Sequence, residues 1–348
     1  MSSEWLKEKQ YIVIDMRQGG DWALDLCFAG LCKNLGYYQV IDWPVKTKHR
    51  EWTSFEETDW GKERRTLGYC GQILPGHSED QLRNLIKKDE IGGVFLDERQ
   101  ESYDEYIRLG LKGSGIPVHV ISCHDRFWNS TPMILLSYYG KDLSSFFFDH
   151  PMPQSVLKNF PKNVKTGVSS LSTNFDHFWN QQRGREKIYD LSFNGYNSHP
   201  DRERFIKHIE RKWSSRIRLN LMLETRPDTV ESFFPKNEYF RIMDQSKICL
   251  NLKGASIAGR SLRFWEIPYV GSCMLTQHVE YDMSKPALVD GIDYISFNNE
   301  DGLDYWIEKL LSDDELREST AKNAHKLIIE NHNVKSRWKQ ILETIGVV

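Results

Sequence analysis

The chain predicts an α/β protein made of two successive units, each a parallel β-sheet with helices on both faces. Three observations carry this. The first half alternates short apolar runs with helix-period stretches. The alternation breaks between about Phe148 and Arg185, where Pro151, Pro153 and Pro161 and the charged run from Gln181 to Lys187 interrupt it. It then restarts and runs to the end. Short buried strands separated by helices imply parallel pairing, because a parallel neighbour is reached only through a crossover. The 348 residues suffice for two domains of ordinary size, with the boundary expected near Arg185: residues 1–185, residues 186–333, and a closing helical segment, 334–348.

In the first unit, Tyr11 to Asp15 reads as a strand and Trp22 to Leu35 as a helix with Leu24, Phe28, Leu31 and Leu35 on one face, ended by Gly36. Tyr38 to Trp43 is a second strand, and Val45 to Gly76 a polar, aromatic excursion. Helices over Asp80 to Lys88 and Tyr103 to Leu111 alternate with strands over Gly92 to Asp97 and Ile116 to Ser122. Met133 to Tyr139 reads as a fifth strand.

In the second unit, the stretch from Asp190 reads as strand, polar turn and helix, with Ser198 as N-cap and Pro200 in the first turn. A strand over Ile217 to Leu221 and a helix over Glu238 to Ser246 follow. Lys247 to Thr276 then gives strand, small-residue loop, helix and strand. Tyr294 to Phe297 is a further strand. The helices over Asp301 to Leu311, Asp314 to Asn331 and Val334 to Ile345 close the chain, the last with Trp338, Ile341 and Leu342 as its apolar stripe.

Composition removes several function classes. A net charge of −3 argues against a broad phosphate-tracking surface. No apolar run reaches the length of a membrane span, and the N-terminal MSSEWLKEKQ lacks the apolar core of a signal peptide. The six cysteines are scattered with no C-x-x-C pair, which fits reduced core residues of a cytoplasmic protein better than a disulfide framework or a zinc site. Aromatic residues make up 12%, a composition compatible with carbohydrate stacking and equally with a large core.

Ligands of parallel sheets gather beyond the carboxyl ends of the strands, and that rule selects the candidates. The centre of the second unit is the loop of Gly254, Ala255, Ser256, Ala258 and Gly259 after an apolar strand. Small side chains let backbone N–H groups approach a ligand, and the helix N-terminus that follows favours an anion. Arg260 and Arg263 add forked donors suited to phosphate, and Glu266, three residues after Arg263, adds an acceptor suited to a ribose diol. The same residues also make an ordinary αβ unit with an intrahelical Arg–Glu pair. Asn194 and Gly195 end another strand. In the first unit, Arg17, Gly19, Gly20 and Asp21 form either a ligand-approaching turn or a plain turn capped by Asp21. Asp97 and Glu98 read as helix-capping or solvated charges. His124 beside Asp125 supplies a base or a sugar-hydroxyl partner, or is a satisfied loop histidine.

From about Leu191 onward the chain resembles GT-B-fold glycosyltransferases of the group-1 type, in the subgroup with the spore-maturation-like transferases. The resemblance rests on the FNGY strand end, the KICLNL strand, Arg263-x-x-Glu266, Gly271, and the closing LLSDDELRESTAKNAHKLIIENHNVKSRW with His332 and Arg337. The first half resembles the family's N-terminal domain through strand order and Gly19-Gly20. The resemblance implies two Rossmann-like domains facing each other across a cleft. It places the nucleotide sugar mainly on the C-terminal domain and the acceptor mainly on the N-terminal one, and it has the final helix pack back on the N-terminal domain. Glu266 then matches the ribose-binding carboxylate, and Lys253 and Arg260 match the basic groups at the diphosphate. The expected donor-binding set is Gly19, Gly20, Asn194, Gly195, Lys253, Gly259, Arg260, Arg263 and Glu266. In the larger group an acid stands eight residues before the ribose carboxylate; here that position is Ala258.

The implied chemistry is glycosyl transfer with no bound metal or cofactor. Lys253, Arg260 and the loop amides stabilise the leaving nucleoside diphosphate, and His124 or Asp125 orients or deprotonates the acceptor hydroxyl. The acceptor is a glycan, a small molecule, a protein or a modified nucleic acid. Three alternatives share the architecture: a sugar-nucleotide epimerase or hydrolase, a transferase acting on modified DNA bases, and a nucleotide-sugar-binding module without turnover, which Ala258 keeps open.

Overall fold

The structure is a computed structural model that describes residues 9–16, 22–44, 77–122, 131–148, 154–168, 185–197, 199–224, 236–253, 263–278 and 286–348. They fall into two compact units, the first of residues 9–168 with Val334–Val348, the second of residues 185–333.

In the first unit, β1 (Gln10–Ile14), β2 (Val40–Trp43), β3 (Ile91–Leu96), β4 (Val118–Ser122), β5 (Leu143–Phe148) and β6 (Lys165–Val168) form one parallel sheet in the order β2-β1-β3-β4-β5-β6. Side chains alternate between its faces. Ile12, Ile14, Val94, Leu96, Val118, Val120 and Phe146 pack one core. It lies under α2 (Glu79–Lys87), α3 (Gln100–Arg108), α4 (Thr131–Tyr139) and the short α5 (Gln154–Leu157). Tyr11, Val13, Phe95, Ile121 and Phe147 pack the opposite face under α1 (Trp22–Leu35) and the C-terminal helix. A capping box opens α2: Ser78 Oγ accepts from Gln81 N–H, and Gln81 Oε1 accepts from Ser78 N–H.

Two expectations change here. Met133 to Tyr139 is part of helix α4, not a strand; TPMILLSYY is apolar all round, and periodicity cannot separate a short apolar helix from a buried strand. The fifth strand is Leu143–Phe148, and a sixth, Lys165–Val168, joins the sheet edge.

In the second unit, β7 (Tyr189–Tyr196), α6 (Pro200–Trp213), β8 (Leu219–Glu224), α7 (Lys236–Asp244), β9 (Ser246–Asn251), α8 (Arg263–Val270), β10 (Cys273–Gln277), β11 (Ile295–Phe297), α9 (Glu300–Ser312) and α10 (Asp314–Asn331) follow in order. The sheet runs β11-β10-β9-β7-β8, all parallel. Leu191, Phe193, Ile248, Leu250 and Leu275 face Phe205, Ile209 and Trp213 of α6 and Leu303 and Ile307 of α9. The cap of α6 is His199, whose ring nitrogen accepts from Asp201 N–H at 3.1 Å; Ser198 lies outside the described residues.

The C-terminal helix α11 (Val334–Ile345) belongs to the first unit, where it lies along α1. Trp338 is buried, edge-on to Phe95 at 5.9 Å, and so close to Gly30 that a β-carbon there would stand 2.0 Å from the indole.

Candidate active site

Strand order locates the candidate site before any side chain is considered. In the second sheet the chain steps from β7 to β8 on one side, then returns to place β9 on the other. Such a switch point opens a crevice at the carboxyl ends of the two strands. Asn194 and Gly195 stand at one lip, and Asn251, Leu252 and Lys253 at the other.

Arg263, in the first turn of α8, is buried and donates from Nη1 to the carbonyl of Asn194 at 2.6 Å. Its guanidinium lies over the Phe193 ring, 4.9 Å from the centroid. The closeness depends on Gly195: a β-carbon there would stand 2.1 Å from Arg263 Nη1. FNGY thus carries glycine at its third position because the arginine needs the space. Glu266 is 3% exposed, and the Tyr239 hydroxyl of α7 donates to its Oε2 at 2.6 Å. Burial first, and then the Glu266 charge, hold the Tyr239 phenol well above its ordinary range, so it stays a donor at neutral pH.

A second arginine organises the other lip. Arg202 of α6 is buried and donates from Nε to the Lys253 carbonyl at 2.7 Å and from Nη2 to the Leu252 carbonyl at 3.2 Å. The Lys253 N–H donates to Gln277 Oε1 at 3.1 Å, and Gln277 Nε2 donates to Asp201 at 2.9 Å. Asn251 Nδ2 donates to Thr276 Oγ1 at 3.1 Å. These bonds fix the backbone at the end of β9, just before residues 254–259. The Asn194 carboxamide differs: the residue is 3% exposed, and among the described residues neither Oδ1 nor Nδ2 has a hydrogen-bond partner. Each buried polar group left so costs about 1–3 kcal/mol.

In the first sheet the switch lies between β1 and β3. The carboxyl ends there bring together Asp15, Asp97 and Glu98, with Ser122 at the end of β4. Asp97 and Glu98 are not solvated. Asp97 is 1% exposed, accepts from Arg99 N–H at 3.1 Å and pairs with the Arg99 guanidinium at 2.6 Å. Glu98 accepts from the Ser122 hydroxyl at 2.7 Å. Burial, opposed by that hydrogen bond, pushes its carboxyl up to about 7. Its position after an apolar strand was the available signal; burial is a tertiary fact.

Of the expected site residues, the structure brings Asn194, Gly195, Lys253, Arg263 and Glu266 to one end of the second sheet. Gly19, Gly20, His124, Asp125, Gly259, Arg260 and Ala258 lie outside the described residues. Arg202, Tyr239 and Gln277 went unnoticed in the sequence. An arginine in a first helical turn, a tyrosine and a glutamine carry no local signature of what they touch. Among the described residues, no group of three or more His, Cys, Asp or Glu side chains is placed to hold a metal ion.

Two Rossmann-like units with these topologies make the GT-B fold, and comparison with known proteins places the chain in that class. Residues 200–343 match the family described as glycosyl transferase-like. The structure of Anabaena HepE, solved in complex with UDP and glucose, is similar with a TM-score of 0.58 at 9% identity, over 98% of this chain and 100% of that one. A glycosyltransferase from Rickettsia africae gives 0.58 at 12% identity, over 97% and 98%. Sucrose-phosphate synthase from Thermosynechococcus elongatus gives 0.54 at 11%, over 96% and 98%. At these identities the likeness is one of fold. No curated protein matches the chain in sequence.

Proposed function

We propose that the protein transfers a sugar from a nucleotide-sugar donor to an acceptor hydroxyl, with the donor's nucleotide held by the second unit. The carrying observation is the convergence of Glu266, Arg263, Asn194 and Lys253 at the β7/β9 switch point, within and beside the span that matches the glycosyl transferase-like family.

In the reaction the bond from the sugar's anomeric carbon to the diphosphate breaks, and its electron pair stays on the diphosphate oxygen. A bond from the acceptor oxygen to that carbon forms, and the acceptor proton passes to a base, assigned to His124 or Asp125. Lys253, Arg260 and the amides of the 254–259 loop are assigned to the charge on the leaving group. Glu266 is assigned to the ribose, held by Tyr239. The acceptor is assigned to the first unit, where His124 and Asp125 follow Ser122 in sequence. With the leaving charge met by the protein, turnover is expected to persist in EDTA.

The described cysteines Cys27, Cys32, Cys249 and Cys273 are buried and unbridged, and no helix among the described residues is long and apolar enough to cross a membrane. Both support a cytoplasmic location. The test is a panel of UDP-, GDP- and ADP-hexoses, screened by thermal shift and then for release of nucleoside diphosphate with and without candidate acceptors. UDP donors come first, since HepE was solved with UDP. Acceptor-dependent release from one donor supports the reading. Release indifferent to every acceptor points to a hydrolase, and absence of any shift overturns the nucleotide assignment.

A further inference from the structure

We infer that the carboxamide of Asn194 binds a ring hydroxyl of the donor, as a second polar contact beside Glu266. The inference deepens the proposed function and rests on it. It starts from the pleat of β7. Leu191 and Phe193 point into the core beneath α6 and α9. Ser192 points to the opposite face, where its hydroxyl donates to Cys249 Sγ at 3.4 Å. By the two-residue period of a strand, Asn194 continues the Ser192 row. That face lies under α7, which packs on β7 and β9, and under α8. Those helices bring Tyr239 and Glu266, and the Tyr239 phenol lies within reach of the charges of both Glu266 and Arg263.

The chemistry offered is specific. Asn194 holds two N–H donors and an acceptor with no partner among the described residues, at 3% exposure, while Arg263 Nε, on the group that already binds the Asn194 carbonyl, is likewise buried and without a partner among them. A phosphate oxygen only accepts, so it leaves Oδ1 unmet. A hydroxyl both donates and accepts, so it satisfies Oδ1 and Nδ2 or Nε together. A nucleotide sugar carries such hydroxyls on its ribose and on the transferred sugar.

The experiment uses the full chain and the isosteric pair Asn194→Val and Asn194→Thr, which differ by one hydroxyl. Wild type and variants are titrated calorimetrically with UDP, GDP and ADP, with their 2′- and 3′-deoxy counterparts, and with the corresponding nucleotide hexoses. The expected result is about tenfold weaker binding for Asn194→Val, with part of the loss recovered in Asn194→Thr. The melting temperature of Asn194→Val is expected to equal or exceed wild type, since an unpartnered amide has been removed. If the loss appears with the nucleoside diphosphate and vanishes with a deoxy form, the hydroxyl is the ribose's. If it appears only with the nucleotide hexose, it is the transferred sugar's. Unchanged affinity in Asn194→Val, with weakened binding in Glu266→Ala, overturns this inference alone. A wild type that binds no member overturns the nucleotide reading and this inference with it. Should Asn194→Val fail to fold, Asn194→Thr against wild type carries the same comparison.

Discussion

Gly195 and Arg263 are sterically complementary: the site of the missing β-carbon lies 2.1 Å from Nη1 of a guanidinium that is bonded to the neighbouring carbonyl. Gly195→Ala is therefore expected to push Arg263 off the Asn194 carbonyl and off the Phe193 ring. A cost of about 1–3 kcal/mol is expected from overpacking, read as a lower urea midpoint, together with weaker nucleotide binding. Adding Arg263→Ala makes room for the methyl group. The double variant should be no less stable than Arg263→Ala alone, and strictly additive losses would contradict the complementarity.

The Tyr239 hydroxyl donates to the Glu266 carboxylate at 2.6 Å. Tyr239→Phe removes one donor from a charged acceptor, worth about 1.5–3 kcal/mol. Weaker nucleoside diphosphate binding is expected, smaller in size than the loss in Glu266→Ala. Titration calorimetry of both variants checks the order; equal affinity for Tyr239→Phe and wild type would remove Glu266 from the binding role or Tyr239 from its support.

Arg202 ties the carbonyls of Leu252 and Lys253 to α6. Arg202→Met keeps the apolar stem and strands both carbonyls, an expected loss of about 2–3 kcal/mol. Because those carbonyls lead into the 254–259 loop, KM for the donor should rise more than kcat falls. Arg202→Lys should not restore either, since an ammonium lacks the fork that spans both acceptors.

Glu98 gives a pH signature. Its carboxyl stands at about 7 in the fold, raised from 4.5 by burial. Below about 4.5 the folded and unfolded chains both hold the proton and nothing is lost. As the pH rises toward 7 the unfolded chain releases it first, so the native state loses stability, by about 3 kcal/mol once the pH exceeds 7. Glu98→Gln should therefore be more stable than wild type at pH 8, with the gap closing toward pH 5 in urea titrations. A gap independent of pH would place the raised proton affinity elsewhere.

Trp338 packs α11 on the first unit, against Gly30 and Phe95. Trp338→Ala should cost about 3–5 kcal/mol, with amide exchange in α1 and α11 rising together. Protection retained in α1 would show that the helix pair is not one cooperative element.

The sequence determined the α/β alternation, the two units and most helices, because a buried strand or an amphipathic helix is a local pattern with its own period. Helix α10 over Asp314–Asn331 matches the span expected from the sequence. Local pattern failed at Met133 to Tyr139, where an apolar run of strand length has no polar face to reveal a helical period. It marked Glu266, Arg263, Asn194 and Gly195 as candidates through the resemblance their motifs carry. What only the tertiary structure decided is which of them meet. Arg263 reaches Asn194 across 69 positions of chain, Arg202 reaches Lys253 across 51 and Tyr239 reaches Glu266 across 27. Parallel strands join residues distant in sequence at one sheet edge, and the order of those strands, which no local period encodes, fixes where the crevice opens.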